Sequence, residues 1–360
     1  MLYNFISNKL CLSRKVGFVI ILLSGCCNLS GQQHPLYSQY LMNYHLINPA
    51  IAGSSGIISL DITARKQWLG FTGAPYIYTI SGQTRLFKRP STLKKTTNNT
   101  RLLKKRSGKV GLGGYVFNVI NGAVEKTGAQ FSYAYHIHGI GGRYQLSFGL
   151  SGSFYQLSMN KAKIHYLEVE TGDVLGSLNN TYIIPDAGVG VYLLSPDLHL
   201  GFSANQLFQE YLPYLVDFNL YRNYYIMGGY KFRFLQDTYI EPSVILKINE
   251  NKINKSNTDG IYKTPKEMRQ NTIFGLQSEL DINLKAFINK DFWIGMGYRS
   301  RGTTMFFTGI KTHEKFMIVY AAGFPFGKDI NQYSTGSHEL MVSYVIGGPG
   351  KRRDQYREYY

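Results

Sequence analysis

With 360 residues and only 17% Asp, Glu, Lys and Arg, the chain is poor in charge, since soluble domains carry roughly 25%. It is rich instead in Tyr (29), Phe (21) and Gly (38), and its formal net charge is +17. Such a basic balance suggests nucleic acid. However, no zinc spacing, dinucleotide-binding glycine motif or basic helix accompanies it, so nucleic acid is not expected as a partner.

The first 30 residues read as an export signal. Lys9, Arg14 and Lys15 precede the apolar run Val16–Leu23, which is too short to span a membrane as a helix. Leu23-Ser24-Gly25-Cys26 resembles a bacterial lipobox, which would place a lipid on Cys26. The competing reading is an ordinary signal peptide cut before Gln32 or Gln33. Cys11, Cys26 and Cys27 are the three cysteines, so the chain after residue 27 needs neither a disulfide nor a thiolate metal site.

Residues 31–55 form an N-terminal mature segment. Asn48-Pro49 disfavours helix at Asn48 and, with Gly53, sets a turn into the first strand. Whether residues 34–54 enter a lumen is left open by the sequence. No later stretch approaches 18 apolar residues, so a membrane crossing would need a closed barrel, in which every strand backbone group is satisfied without water.

Within residues 56–346, the expected barrel, several segments alternate with period two. Ile58, Leu60, Ile62 and Ala64 oppose Ser59, Asp61, Thr63 and Arg65. Tyr144, Leu146, Phe148 and Leu150 oppose Gln145, Ser147 and Ser151. Phe274, Leu276, Leu280 and Ile282 oppose Gln277, Glu279 and Asp281; Leu340, Val342, Tyr344 and Ile346 oppose Glu339 and Ser343. A soluble sandwich shows the same alternation with its apolar side inward. Runs of about 10–12 residues suit a tilted bilayer crossing instead. The fold expected is all-β: a transmembrane, antiparallel, up-and-down β-barrel of outer-membrane type with about 14 strands. Predicted strands begin near residues 56, 76, 109, 124, 143, 182, 197, 223, 238, 272, 291, 303, 314 and 337. With the N-terminus in the periplasm, connections 156–181, 208–222, 250–270 and 325–336 fall outside. The shorter connections 137–142, 194–197, 235–238 and 311–314 fall inside, the asymmetry expected of such barrels.

One inward connection breaks that rule. Ten Lys or Arg and no acidic residue lie from Arg85 to Lys109, among them Lys94, Lys95, Arg101, Lys104, Lys105 and Arg106 as candidate partner-binding residues. The loop 86–109 is either a solvated insertion or an electrostatic contact for an acidic periplasmic protein or cell-wall polymer. The basic tail 347–360, with Lys351-Arg352-Arg353, adds charge on the same side.

Residues that could carry chemistry have simpler readings. His136 and His138 share one strand face, but two imidazoles without a third ligand are explained as polar lumen residues. Glu168, Glu170 and Asp173 fall in an outer loop without an acid–base partner. Gly111-Leu112-Gly113-Gly114 and Gly188-Val189-Gly190 precede no helix, so strand bending or close packing is expected rather than a phosphate cradle. Trp68 and Phe71, beside Gly70 and Gly73, read as an interfacial anchor with a tight turn. No Ser sits in a nucleophile elbow. Neither enzymatic activity nor a cofactor or metal is expected.

Several of these motifs form a series. The segment His34–Gly53 contains Tyr37-Ser38-Gln39-Tyr40, Asn48-Pro49-Ala50 and Ala52-Gly53. Arg65-Lys66-Gln67-Trp68-Leu69-Gly70 and Gly73-Ala74-Pro75 follow, then Phe292-Trp293-Ile294-Gly295, Tyr298-Arg299-Ser300 and Gly336-Ser337-His338-Glu339-Leu340. In order and spacing the series resembles the PorP/SprF-like membrane proteins of the type IX secretion system. The resemblance implies an outer-membrane barrel of Bacteroidetes-type bacteria that serves type IX secretion or gliding. It also implies contact with outer-membrane lipids, with periplasmic and outer-membrane secretion components, and with a secreted surface adhesin. Ile51 departs from the pattern, which often has an aromatic residue there, as does the charged tail beyond Ile346.

Overall fold

The computed structural model describes residues 43–86, 108–139, 144–159, 182–208, 222–235, 237–254, 272–289, 291–300, 302–312, 315–326 and 334–346. They form strands β1 Ile58–Lys66, β2 Tyr76–Leu86, β3 Val110–Asn121, β4 Val124–His138, β5 Gln145–Met159, β6 Tyr182–Leu194, β7 Leu198–Asn205 and β8 Asn223–Tyr230. Then follow β9 Phe232–Arg233, β10 Tyr239–Asn254, β11 Thr272–Phe287, β12 Phe292–Arg299, β13 Thr303–Thr312, β14 Phe316–Pro325 and β15 Ser337–Ile346.

Successive strands pair antiparallel, and β15 returns to β1 from Ile58↔Ile346 to Lys66↔His338, so the sheet closes on itself. Strands β8 and β9 lie along the same side of β10. Between them Lys231 breaks the ladder, its N–H donating to Asp197 O at 2.7 Å. The two are one interrupted stave, and the 15 strands make a barrel of 14 staves. Closure removes every long sheet edge, which in hydrocarbon would leave backbone groups unbonded.

Burial is inverted relative to a soluble sandwich. Ser59, Asp61, Thr63, Ser81, Ser147, Glu279, Asp281 and Ser343 are buried in the interior, whereas Leu60, Ile62, Ile80, Phe148, Leu150, Ile318 and Val342 are exposed on the outside. An apolar outer band around a polar interior is the pattern of a barrel solvated by lipid. The hydrophobic core lies inside the cylinder, where Trp293, Met305, Phe307, Met317, Val319 and Met341 pack from β12–β15.

The strand starts fall within two residues of those expected. Strand length differs more: β4 and β5 have 15 residues, and β10 and β11 have 16. The reason is local pairing. β10 leaves β8 after Asn249↔Asn223 and β11 meets β12 only from Asp281↔Arg299, yet β10 and β11 stay paired out to Asn254↔Thr272. Their hairpin therefore stands above the rim. We call this rim, where β1 ends, the far rim, and the one where β1 starts the near rim. The four long connections expected outside do share the far rim, but so does the two-residue turn between Asn121 and Val124, and the connection from Leu86 to Val110 is at the near rim.

Candidate functional site

The feature with the most specific geometry is the segment before β1. Residues 43–55 are all buried, and they lie inside the near half of the lumen. Two short 3-10 turns, Tyr44–Leu46 and Pro49–Ile51, give the segment its shape. Pro49 sits at the first position of its turn, where its missing N–H costs nothing. Asn48 caps that turn, its Oδ1 accepting from Ala50 N at 3.0 Å.

Polar groups tie this plug to β2, β4, β6 and β7. Asn48 Nδ2 donates to Val191 O on β6 at 3.1 Å and to Phe202 O on β7 at 3.3 Å. Ile47 O accepts from Ser203 Oγ at 2.7 Å and Asn205 Nδ2 at 2.9 Å. His136 Nε2 on β4 donates to Ala52 O at 3.0 Å. Gly53 N donates to Gln83 Oε1 on β2 at 3.1 Å, and Asn43 Nδ2 to Ser81 Oγ at 2.7 Å. Tyr44, Ile47, Ala50 and Ile51 then join the apolar cluster of the interior.

The plug fits because its wall has little bulk. A Cβ at Gly111 would fall on Ala52 O, one at Gly149 on the backbone of Ala50, and one at Gly190 on the Asn48 side chain. Close packing, one of the two expectations for the glycines of β3 and β6, is thus the one realised. Gly53 on the plug has φ +66°, and a Cβ there would meet Thr84 O.

Several charges that line the lumen are paired. Arg299 Nε donates to Asp281 Oδ1 at 2.9 Å and meets Glu279 at 3.0 Å, and its Nη2 reaches Asp281 Oδ2 at 2.8 Å. Lys285 pairs with Glu241 at 3.1 Å, and Arg65 lies 4.0 Å from Glu339. Burial makes such pairing necessary, because an unpaired interior charge is expensive.

The sequence-predicted residues divide into three groups. Asn48, Pro49 and Gly53 belong to the plug. Gln67, Trp68, Gly73 and Pro75 form the β1–β2 turn at the far rim, where Gly336, Ser337, His338 and Glu339 open β15. The structure joins these last two sets: Leu69 N donates to Gly336 O at 2.7 Å, Trp68 N to Ser337 Oγ at 3.3 Å, and Thr335 N to Leu69 O at 2.9 Å. Within the turn, Gln67 N donates to Pro75 O at 2.9 Å and the Trp68 and Phe71 rings meet edge-on at 6.5 Å. Glu339 faces the lumen, while His338 Nδ1 lies 2.6 Å from Tyr320 OH on the outer side. Cys26 and the third group, Lys94, Lys95, Arg101, Lys104, Lys105 and Arg106, lie outside the described residues.

The sequence reading missed the plug's seat, namely Gln83, His136, Ser147, Ser203 and Asn205. Its one available signal was glycine at every second position, Gly111 and Gly113 on β3, Gly188 and Gly190 on β6. Among the described residues no group of three or more His, Cys, Asp or Glu is placed to hold a metal ion.

A family model described as "Type IX secretion system membrane protein PorP/SprF" matches residues 29–344. No curated protein matches. Among solved structures, the chain is similar to the Ralstonia pickettii toluene transporter TbuX, with 9% identity, 83% of this chain and 92% of that chain covered, and a TM-score of 0.44. The Acinetobacter baumannii outer membrane protein Omp33 matches with 6% identity, coverage of 81% and 97%, and a TM-score of 0.40. The Pseudomonas putida toluene transporter TodX gives 8%, 87%, 93% and 0.40 for the same quantities.

Proposed function

The chain belongs to the PorP/SprF family of type IX secretion membrane proteins, and on that footing we propose that it is a non-enzymatic docking barrel. It would reside in the outer membrane of a Bacteroidetes-type cell and serve type IX secretion or gliding. In this reading the barrel holds a complex in the membrane. Its far-rim connections meet an exported surface protein such as an adhesin, and the basic stretch 86–109 meets an acidic periplasmic component of the machinery. The observation that carries it is the filled lumen: residues 43–55 are buried inside the near half, which suits a platform better than an open pore. Nine basic residues without an acidic one in that stretch supply a long-range attraction for an anionic partner, strongest at low salt.

The test is to replace Lys94, Lys95, Lys104, Lys105 and Arg106 with Gln in the cell. Barrel abundance should hold while secretion, or pulldown of a periplasmic partner, falls. Unchanged secretion together with unchanged pulldown would remove the docking role. The alternative, a passive pore for small solutes, requires steady conductance of the wild-type barrel at neutral pH and no secretion defect on deletion.

A further inference from the structure

Histidine is concentrated where the plug meets its wall. His45, His136 and His199 are each 0% exposed, and all three sit at this interface. His45 is on the plug itself. Its ring packs on Gly113, faces Tyr115 edge-on at 6.3 Å, and has no hydrogen-bond partner at either nitrogen among the described residues. His136 holds Ala52 O through Nε2 while its Nδ1 lies 2.8 Å from Ser147 Oγ. His199 packs against the plug's Tyr44 with ring centroids 5.4 Å apart.

The groups around these rings do not favour a second proton. His45 is flanked by Tyr44 on the plug and faced by Tyr115 on β3, neither of which is anionic at neutral pH. His136 is faced by Arg85 from β2 and Gln145 from β5, with His138 on its own strand. His199 is faced by Tyr192 on β6, Glu241 on β10, Lys285 on β11 and Lys231 between β8 and β9, so cations outnumber the carboxylate. An imidazolium at any of the three would be a buried charge without a matching anion.

We propose that residues 43–56 are an acid-releasable stopper, and that its departure opens a wet path along the small, polar side of the lumen. That side is already built for water. Ser147, Ser203, Asn205 and Gln83 line the seat of the plug, and Gln130 and Asp186 continue above it beside a small cluster of Tyr155, Ile184 and Phe117 under Lys126. The opposite side, β12–β15, carries most of the bulky apolar cluster, which Tyr192, Leu194, Tyr225, Met227 and Ile245 extend around the wall, and stays closed.

The direction of the pH effect follows from His45. Burial lowers its pKa from 6.5 to about 4. The seated ring therefore stays neutral while a released ring takes up a proton. Seating is undiminished above pH 6.5 and is lost progressively as pH falls from 6.5 toward 4, by on the order of 100-fold from this one group.

The experiment uses the full chain in planar bilayers, with pH stepped from neutral to about 4 and back, a window set by the His45 linkage. Wild type should be silent at neutral pH and open reversibly in acid, with its β-sheet circular dichroism intact. His45→Gln keeps a polar side chain that cannot gain the proton, so its opening should shift to lower pH. Gly149→Leu places a side chain where the backbone of Ala50 lies and should conduct at neutral pH. The proposal is overturned by a folded wild type that stays silent in acid, by opening that coincides with loss of sheet dichroism, by His45→Gln opening at the wild-type pH, or by a folded, silent Gly149→Leu. Failure of the docking role would appear in secretion and pulldown instead, so the two readings fail separately.

Discussion

Replacing Asn48 by Asp asks whether the amide, rather than the size, of this side chain seats the plug. Asn48 is fully buried; its Nδ2 donates to carbonyls of two different strands, and its Oδ1 accepts from Ala50 N. Aspartate preserves shape and the acceptor but turns the donor nitrogen into an oxygen facing Val191 O and Phe202 O. Losing two hydrogen bonds costs about 2 kcal/mol. Keeping the buried carboxyl neutral at pH 7, against an ordinary pKa near 3.9, costs about 4 kcal/mol more. Asn48→Ala loses three hydrogen bonds and a little volume, for about 3 kcal/mol in all. The ordering Asp worse than Ala is the diagnostic, since a purely steric role would reverse it. No barrel ladder runs through Asn48, so the strands should survive both changes. Hydrogen exchange of peptide 43–56 in detergent at neutral pH reads the effect directly. The plug amides should exchange fastest in the Asp variant and at an intermediate rate in the Ala variant, with strand peptides unchanged. An Asp variant protected like wild type, or one less affected than Ala, would refute the reasoning.

Two further changes probe the wall. Arg299→Met leaves Asp281 and Glu279 as buried carboxylates without their shared guanidinium, and should cost about 3–5 kcal/mol in urea unfolding. Adding Asp281→Asn and Glu279→Gln should recover most of that loss, and a triple variant no better than the single one would show that the Arg is not acting through charge. Ile62 is 57% exposed at the middle of β1, between Ile80 and Val342. Ile62→Arg should lower folding stability in a bilayer by about 2–4 kcal/mol; an unchanged bilayer stability would mean that this face does not meet hydrocarbon.

Fold class and strand placement were legible in the sequence because period two reports faces directly. Ser59, Asp61, Thr63 and Arg65 declare one side of β1 wherever the strand sits. What the alternation could not decide was which side faces solvent, since a sandwich gives the same string; strand length had to decide that. The plug was not legible for a different reason. Residues 43–56 have no period, and their shape depends on bonds to Ser81, Gln83, His136, Val191, Phe202 and Ser203, scattered over four strands. The glycines at 111, 149 and 190 mean nothing locally and become informative only when a second backbone lies against them. The rim motif was half legible. The β1–β2 turn could be read from Gly70 and Gly73, but its bonds to Gly336 and Ser337 join parts of the chain that only closure brings together.

That closure carries a consequence for how the plug and the barrel depend on one another. Every ladder but one joins staves that follow each other along the chain, so each can form with little loop-closure entropy. The exception joins β1 to β15, Ile58↔Ile346 through Lys66↔His338. It is aided by the rim motif at one end, by Arg65–Glu339 across the seam and, at the other end, by the plug, which runs directly into β1. A seated plug fixes where β1 begins, because Gly53 is held by Gln83 and Asn43 by Ser81, both on β2, while Asp61 of β1 accepts from Asn43, Ser81 and the Ser343 hydroxyl of β15. Asp61 is thus shared by plug, seam and neighbouring strand. Anything that unseats the plug removes one of its donors while leaving those from Ser81 and Ser343. The seam should therefore loosen locally without parting, as a wall needs to do if its stopper is to leave and return.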